Sequence, residues 1–329
     1  MSDGDGPAGD SRLGTAGDRF GATLVPVAER LPAPLRVLVL PRTERQRVRR
    51  RILGLCTPFL VLATVAGIYP LWEMLRMSVS ESKYVTEGVT LSAYRELATN
   101  QYLHAAAFNT LWFGLATTVA SLVVATATAH ALEKYDLPAE GLFVTLLSFP
   151  VSLPGIVAAF MIVVLLGNTG LLTHAAAAYT QWAPWQADRT TIDLAVATSV
   201  TGLFVAYCYS MIPRALLLLR GSYAEVNETA EEAARALGAS PARTFYHVTL
   251  PQIKPGLIGA FILTFRTALA IFGTVLILQA MRVWTYEIDF VVSNGGKFPL
   301  AGAMGLTWFV FVLLFTVLGL RYTSAEVGL

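Results

Sequence analysis

Long apolar stretches alternate with short polar segments along most of this chain. Six of the stretches hold enough apolar residues in a row to cross the roughly 30 Å hydrocarbon layer of a bilayer as a helix. They cover residues 52–72, 106–132, 142–166, 194–211, 257–281 and 301–320. The pattern therefore predicts an all-α integral membrane protein with six transmembrane helices.

The basic residues of the chain are concentrated on one side of these predicted spans. Ten arginines precede the first span, six of them between Arg42 and Arg51. Loops rich in Lys and Arg stay in the cytoplasm, so the N-terminus is predicted to be cytoplasmic. Six crossings return the C-terminus to the same side, and they also make the long loop between spans four and five cytoplasmic.

The composition agrees with a membrane location and narrows the choice of partners. Apolar residues make up 55% of the chain and charged residues 14%, which is about half the charged share of an average soluble domain. The net charge is only +2, and orientation in the membrane accounts for the basic residues. We therefore predict contact with membrane lipid and no nucleic-acid partner.

The loop between spans four and five has the signals of a helix, a sharp turn and a second helix. Asn227 can cap the first helix, and Gly238 follows its last apolar residue, Leu237, as a stop. Ser240 and Pro241 then provide a cap and a first-turn proline for the second helix. The acidic residues suited to the positive end of the first helix are Glu228, Glu231 and Glu232.

One face of this first helix is predicted to be shallow and available for docking. At helical spacing it brings together Ala230, Ala233, Ala234 and Leu237. The loop as a whole reads Glu232-Ala233-Ala234, three residues, Gly238, nine residues, Val248, one residue, Leu250-Pro251.

This spacing resembles the EAA loop of importer-type ABC transporter permeases, in which isoleucine occupies the position of Val248. The resemblance implies that the first helix is a coupling helix, inserted into a cleft on a separate ATPase subunit. It implies an ATPase-coupling role for Glu232, Ala233, Ala234, Leu237, Gly238, Val248, Leu250 and Pro251.

The resemblance also implies a function and a set of partners. The chain would be a permease subunit that forms half of the pore of an ATP-driven importer in the cell membrane. Its partners would be ABC ATPase subunits, a second permease subunit of the same or different sequence, and an extracytoplasmic substrate-binding protein. ATP and Mg would be bound by the ATPase partner, and this chain would hold no cofactor, metal or catalytic residue. A sugar-type permease, a membrane enzyme and a passive channel are the alternatives.

The predicted organisation has four parts. Residues 1–50 form a disordered, basic cytoplasmic tail, and residues 51–102 hold the first span and an extracytoplasmic loop. Residues 103–321 resemble the type I importer domain, with five spans and a coupling loop at 214–256. Residues 322–329 are expected to be a cytoplasmic tail.

Short motifs in the third and fifth spans suggest a substrate subgroup. Ser148-Phe149-Pro150, Leu153-Pro154-Gly155 and Phe272-Gly273-Thr274 are similar to permeases for polyamines, thiamine, ferric iron, aminoethylphosphonate, and molybdate or sulfate. Related sequences often carry an acidic residue just before the Phe-Gly pair, where this chain has Ile271. The expected substrate is a small polar or charged solute, of polyamine, thiamine, ferric iron or phosphonate type.

Several residues within the spans are candidates for the translocation pathway. Pro150, Pro154 and Gly155 interrupt the third span, and such breaks accompany either a water-filled cavity or a packing kink. Arg266 lies near the middle of the fifth span, where it needs a partner or a cavity. The polar residues Tyr207, Tyr209 and Ser210 could line the path or hold helices together.

Overall fold

A computed structural model describes residues 44–81, 88–135, 138–167, 170–175 and 196–327. Within these ranges the regular structure is helical, apart from an isolated antiparallel bridge between Ser80 and Val89. The chain divides into two units, Met1–Glu73 and Met74–Leu329. The predicted disorder of residues 1–43 and the predicted start of the fourth span at residue 194 lie outside the described residues.

The described residues form thirteen named α-helices. In chain order they are α1 (Glu44–Ala63), α2 (Tyr69–Ser78), α3 (Ser92–Thr99), α4 (Gln101–Lys134), α5 (Glu140–Ser148), α6 (Gly155–Leu166), α7 (Val200–Tyr223), α8 (Glu228–Ala236), α9 (Pro241–Thr244), α10 (Leu250–Ala270), α11 (Gly273–Leu278), α12 (Trp284–Ser293) and α13 (Phe298–Val327). Single π turns, Thr64–Ile68 and Phe245–Thr249, join α1 to α2 and α9 to α10.

The prediction of six membrane helices is confirmed. Among the described residues, six helices are long and apolar enough to cross a bilayer: Arg51–Ser78, Gln101–Lys134, Gly155–Ala175, Val200–Tyr223, Pro241–Ala270 and Phe298–Arg321.

The two ends of the described chain are more helical than the sequence predicts. Helix α1 begins at Glu44, so residues 44–50 belong to a helix and not to a disordered tail. Their unbranched Arg, Gln and Glu side chains favour helix because they lose little rotamer freedom there. At the other end, α13 continues to Val327, past the predicted boundary at residue 321.

The fourth span ends later than predicted, at Tyr223 and not at residue 211. Hydropathy placed the end before Arg214 and Arg220, but both arginines have partners that let the helix continue. Arg214 donates to the Ser210 carbonyl at 2.7 Å. Arg220 forms ion pairs with Glu133 at 2.6 Å and Glu140 at 2.9 Å. The coupling loop is therefore shorter than the predicted range of 214–256.

The third and fifth spans are both interrupted. Between α5 and α6 lies a 3-10 turn, Phe149–Ser152, followed by Leu153 in extended conformation and by Pro154, which confirms the break expected in the third span. The helix long enough to cross a bilayer here is Gly155–Ala175, so the predicted bounds of 142–166 begin and end too early. The fifth span was predicted to run without interruption to residue 281. Instead α10 ends at Ala270, Ile271 is extended, and α11 starts a new short helix at Gly273.

Helix α7 is the centre of the second unit and packs against α4 and α10. Small residues allow these helices to approach closely, as is usual between membrane helices. Ala125, Ala215 and Ala260 are buried in the same cluster. At Gly256 a Cβ atom would overlap the side chain of Ser222, so α10 and α7 touch where the coupling loop meets the bundle.

Candidate coupling and translocation sites

The first helix of the loop, α8, begins and ends as the sequence predicts. The Asn227 side chain accepts a hydrogen bond from the Ala230 N–H at 3.2 Å. At the other end, Gly238 N–H donates to the Arg235 carbonyl at 2.9 Å and Ala239 N–H donates to the Ala234 carbonyl at 3.0 Å. This is the Schellman arrangement, in which the residue after the helix is left-handed. Gly238 has a φ of +85°, a value that residues with a side chain rarely adopt.

The second helix of the loop is the start of the fifth span. Ser240 caps it by accepting from the Arg243 N–H at 3.4 Å, and Pro241 occupies the first turn. The helix then continues through the π turn into α10. Val248 and Leu250 are half-buried on this segment and Pro251 is exposed. Any displacement of the hairpin therefore acts directly on a membrane span.

The outward face of α8 differs in part from the predicted face. Glu232 and Ala233 are exposed, and Leu237 is 90% exposed. Ala230 and Ala234 are half-buried and turn toward the rest of the molecule. The helix therefore presents Glu232, Ala233 and Leu237 outward.

The inward face of α8 carries Glu231, which the sequence analysis treated only as a residue favourable to the helix dipole. Its side chain is 2% exposed. One carboxylate oxygen lies 2.9 Å from Lys134 Nζ, and the other accepts a hydrogen bond from Thr249 Oγ1 at 2.5 Å. Arg235 Nη2 donates to the first oxygen at 3.4 Å. The carboxylate therefore contacts the last residue of α4 and the residue that precedes α10.

These contacts set the charge state of Glu231. Burial disfavours the ionised form, but the hydrogen bonds from Lys134 and Thr249 and the charges of Lys134 and Arg235 outweigh it, so the pKa of Glu231 lies below its ordinary value of 4.5. Glu231 is thus a carboxylate at neutral pH. A signal in the sequence was its place three residues before Ala234, on the same side of the helix, but Lys134 and Thr249 are too distant in the chain to be recognised as partners.

Aromatic rings also join the helices around this polar cluster. The His130 ring meets the Phe245 ring edge to face at 5.0 Å between centroids and the Tyr223 ring at 5.9 Å. Asn227 N–H also donates to the Gln252 side chain at 2.8 Å. The inward side of the hairpin is therefore joined to α4, α7 and α10 by packing and hydrogen bonds.

The breaks in the third and fifth spans meet one another. Thr274 Oγ1 donates to the Gly155 carbonyl at 3.1 Å. A Cβ atom on Gly273 would lie 2.8 Å from Ile156 Cγ1 and 3.2 Å from its backbone nitrogen. We call this contact of Gly155, Ile156, Gly273 and Thr274 the junction. Two motifs that were matched separately in the sequence are thus parts of one structural feature.

The other pathway candidates take different positions. Tyr207 is buried in an apolar cluster and meets the Phe113 ring edge to face at 5.1 Å. Ser210 is buried and bonds Arg214 through its hydroxyl. The Tyr209 hydroxyl lies 4.0 Å from Met161 Sδ, and Pro150 is buried in the 3-10 turn. Tyr207 and Tyr209 therefore contact other helices, whereas Ser210 bonds within its own helix.

Arg266 is exposed on α10, four residues before the helix ends at Ala270. The faces of α10 that pack on α4, α7 and α13 are occupied by other residues, including Ile262, Phe265 and Leu269. Arg266 shares the remaining face with Gly259, about two turns away, where a Cβ would meet nothing within 4 Å. A charged side chain on an apolar membrane helix requires a protein or aqueous environment.

A second buried carboxyl group lies in the segment between the fifth and sixth spans. Glu287 is buried on α12. Arg282 Nη1 is 3.5 Å from Glu287 Oε1, yet no described residue makes a hydrogen bond to that oxygen. Burial raises the pKa of Glu287, and the charge of Arg282 offsets this only in part. The sequence analysis did not identify this residue.

The fold, with six membrane helices and a capped hairpin entering the fifth, defines a multi-pass membrane protein. The profile of the family described as "Binding-protein-dependent transport system inner membrane component" matches residues 118–325. The chain belongs to this family and is a permease subunit of an ABC importer.

Individual relatives agree with the family. The chain is 27% identical over 215 residues to the sulfate transport system permease protein CysT of Escherichia coli, covering 64% of this chain and 73% of the relative. It is 31% identical over 151 residues to the sulfate transport system permease protein CysW of Synechocystis sp., covering 46% of this chain and 50% of the relative.

Two solved structures share the fold. A bacterial ABC transporter involved in the import of the acidic polysaccharide alginate has a chain that aligns with a TM-score of 0.66 at 14% identity, covering 86% of this chain and 99% of that one. A bacterial alginate ABC transporter in complex with an alginate pentasaccharide-bound periplasmic protein aligns with a TM-score of 0.64 at 14% identity, covering 87% of this chain and 98% of that one.

Proposed function

We propose that this chain forms half of the translocation pore of an importer for sulfate-type oxyanions and that the α8 hairpin couples it to a separate ATPase subunit. The observation that carries the coupling role is the two-sided environment of α8. Its outward face exposes Glu232, Ala233 and Leu237, while its inward face is joined to the spans through Glu231. A helix with these two faces can receive a displacement on one side and pass it on from the other.

The substrate class rests on the relatives and on charge within the spans. CysT of Escherichia coli and CysW of Synechocystis sp. are sulfate transport permeases by name. From the second span onward the membrane helices carry one acidic residue, Glu133, which pairs with Arg220. Their basic residues are Lys134, Arg214, Arg220, Arg243, Lys254, Arg266 and Arg321. A cationic solute such as a polyamine or thiamine would find no other carboxylate on these helices. We therefore favour a sulfate-type oxyanion over the polyamine, thiamine and ferric iron types, and the names of the relatives favour sulfate over a phosphonate.

The proposal includes a set of partners and an orientation. A second permease subunit would complete the pore and provide surroundings for Arg266. An extracytoplasmic binding protein would deliver the substrate, a role supported by the periplasmic protein bound to the alginate transporter of the same fold. ATP and Mg would bind to the ATPase subunit, and the N- and C-termini would be cytoplasmic with the hairpin.

Mechanistically, the proposal needs only one helix whose preferred position depends on the ATPase. If the ATP-bound and ATP-free partners favour different positions of α8, the two equilibria are coupled. The spans would then alternate between inward-open and outward-open arrangements as ATP binds and is hydrolysed.

Uptake measurements test the substrate class. The chain would be expressed with its ATPase, second permease and binding protein in a host that lacks sulfate and molybdate importers, and the uptake of radiolabelled sulfate measured. We expect ATP-dependent uptake that excess molybdate or thiosulfate inhibits and that putrescine, thiamine and maltose leave unchanged. Inhibition by one of the latter three, with no effect of the oxyanions, would contradict the oxyanion proposal.

A further inference from the structure

The inward face of the hairpin holds a compact ionic cluster composed of Glu231, Lys134 and Thr249, which we call the clasp. Each member comes from a different part of the chain: Glu231 from α8, Lys134 from the end of α4, and Thr249 from the turn before α10. Glu231 and Thr249 are nearly inaccessible, and the Lys134 side chain is 13% exposed. The clasp is therefore set behind the outward face of α8 and does not form part of it.

The two oxygens of Glu231 have different partners. One oxygen is 2.9 Å from Lys134 Nζ and the other accepts the Thr249 hydroxyl proton at 2.5 Å. If α8 moved relative to α4, the first contact would break, and if it moved relative to α10, the second would break. The first movement would separate the buried carboxylate from Lys134 and leave it only the more distant Arg235 of its own helix, at 3.4 Å. The second would remove its hydroxyl donor. Removing a partner from a buried charge is more unfavourable than breaking an exposed pair.

We infer that Glu231 is a positioning residue that makes the coupling helix, the end of the second span and the start of the fifth span move as one body. The inference rests on the proposed coupling function, since it concerns how motion of α8 reaches the membrane. Glu232 and Leu237 contact the ATPase subunit on one side of α8. On the other side Glu231 bonds α8 to the two spans, so that the spans move when α8 is displaced. The clasp thereby converts a movement of one short helix into a movement of two spans.

Glu228 shows why burial is the decisive property of the clasp. It also approaches Lys134 Nζ, at 3.7 Å, but its side chain is 77% exposed. An exposed pair at this distance is screened by water and contributes little. Glu228 and Glu231 are therefore a matched pair: the same residue type, the same helix and the same lysine, with different burial.

The test compares Glu231→Gln with Glu228→Gln in proteoliposomes that contain the full complex. Three quantities would be measured: ATPase subunit retained through purification, ATP hydrolysis, and substrate imported for each ATP hydrolysed. We expect Glu231→Gln to retain the ATPase subunit and hydrolyse ATP but to import at least fivefold less substrate for each ATP. Glu228→Gln should match the wild type in all three.

Exchanging the charges of Lys134 and Glu231 distinguishes a role of the clasp in coupling from a general loss of folding. Lys134→Glu alone should be uncoupled or misfolded, whereas Lys134→Glu combined with Glu231→Lys should recover import for each ATP to within about threefold of the wild type. A merely structural role predicts no such recovery of the coupling ratio. Thr249→Val should give an intermediate coupling ratio because it removes one of the two connections.

The outcomes distinguish the inference from the function on which it rests. A wild-type ratio in Glu231→Gln, or no recovery in the exchanged pair, would overturn the positioning role while the importer remains. If the wild-type complex shows no ATP-dependent import or retains no ATPase subunit, the proposed function fails and the inference fails with it.

Discussion

The hairpin and the segment beyond the fifth span each bury one glutamate, and they do so in opposite ways. Glu231 in the hairpin has a lysine and a hydroxyl at bonding distance, so its pKa is lowered. Glu287 has an arginine 3.5 Å away that makes no hydrogen bond to it, and its pKa is raised. A buried charge that is fully paired fixes the position of neighbouring elements. A buried carboxyl that is poorly paired favours its neutral form and fixes little.

The hairpin and the junction also differ in the contacts that hold them together. The hairpin is held by caps, ion pairs and a glycine with positive φ. The junction is held by one hydrogen bond and by the close approach of glycines to the opposite backbone. Polar contacts therefore hold the hairpin, whereas close approach of small residues holds the junction. The predictions below act on the two regions in turn.

The largest loss of uptake is expected from a substitution at Gly238, in the turn of the hairpin. Gly238→Val should abolish ATP-driven uptake, because a β-branched residue at a φ of +85° is strained by at least about 1–2 kcal/mol. The space around this position is open, so the strain is in the backbone and no atoms would overlap. Uptake assays on membranes with equal amounts of each variant would measure the loss.

Gly238→Asn is the matched control, because asparagine tolerates the left-handed conformation better than other residues with a side chain. It should retain much of the uptake. Full activity of Gly238→Val would show that the angle between the two helices of the hairpin has no role in transport.

The next largest loss of uptake is expected from substitution of Arg266, the exposed arginine of the fifth span. If Arg266 contributes one charged contact to an oxyanion in transit, Arg266→Gln should lower the rate of sulfate uptake about tenfold, equivalent to about 1.4 kcal/mol. Arg266→Lys should recover part of the rate, because the charge is restored without the planar guanidinium.

Measurement of ATP hydrolysis in the same Arg266 variants separates substrate contact from pairing with a second permease subunit. Normal assembly and normal hydrolysis with slow uptake agree with substrate contact. Loss of the second permease subunit from purified Arg266→Gln would instead assign the arginine to subunit pairing.

A smaller effect is expected at the junction. Gly273→Val should reduce uptake severalfold while the ATPase subunit stays bound, because the added carbons would push Ile156 and its backbone away. Gly221→Val in the fourth span is its control, since a Cβ there meets nothing within 4 Å of this chain. Equal uptake in the two variants would contradict a functional role for close contact at the junction.

The smallest expected effect is the pH dependence of folding stability that Glu231 and Glu287 contribute. The pKa of Glu231 is lowered by folding, so its ionised form stabilises the protein above its ordinary value of 4.5, and this stabilisation is lost as the pH falls through the lowered pKa. The pKa of Glu287 is raised, so folding is favoured below 4.5 and this advantage is lost as the pH rises through the raised pKa.

Thermal unfolding of two glutamine variants measures these opposite signs. At pH 7, Glu231→Gln should lower the Tm of the purified protein, and Glu287→Gln should raise it by a few degrees at most. The Glu287→Gln difference should shrink as the pH falls from 7 through the raised pKa toward 4.5. The Glu231→Gln difference should persist down to about pH 4.5 and shrink only as the pH falls below this value, through the lowered pKa. A rise in Tm for Glu231→Gln at pH 7 would show that the clasp does not stabilise the fold.

Local signals explain what could be predicted from the sequence. Asn227, Gly238 and Ser240 act within a few residues of themselves, so the caps and the turn of the hairpin follow directly from their order. The proline and glycine of Pro154-Gly155 likewise interrupt the third span where the sequence predicts a break. Six apolar stretches sufficed to predict the number of membrane helices.

Contacts between distant segments explain what could not be predicted. The partners of Glu231 are 97 and 18 positions away, so its burial cannot be recognised from helical spacing alone. The fourth span continues past residue 211 because Arg220 reaches Glu133 and Glu140 on other helices. Hydropathy treats such paired arginines as solvent-exposed and ends the helix too early.

The central claim is that the outward face of α8 contacts the ATPase subunit, and site-specific crosslinking tests it most directly. A photoreactive amino acid would replace Leu237, which is 90% exposed, and, as a control, Lys297, whose side chain is 57% exposed outside the hairpin. After irradiation of active complexes, the adducts would be identified by mass spectrometry. We predict an adduct with the ATPase subunit from position 237 and none from position 297. An active complex in which position 237 gives no ATPase adduct would contradict the claim.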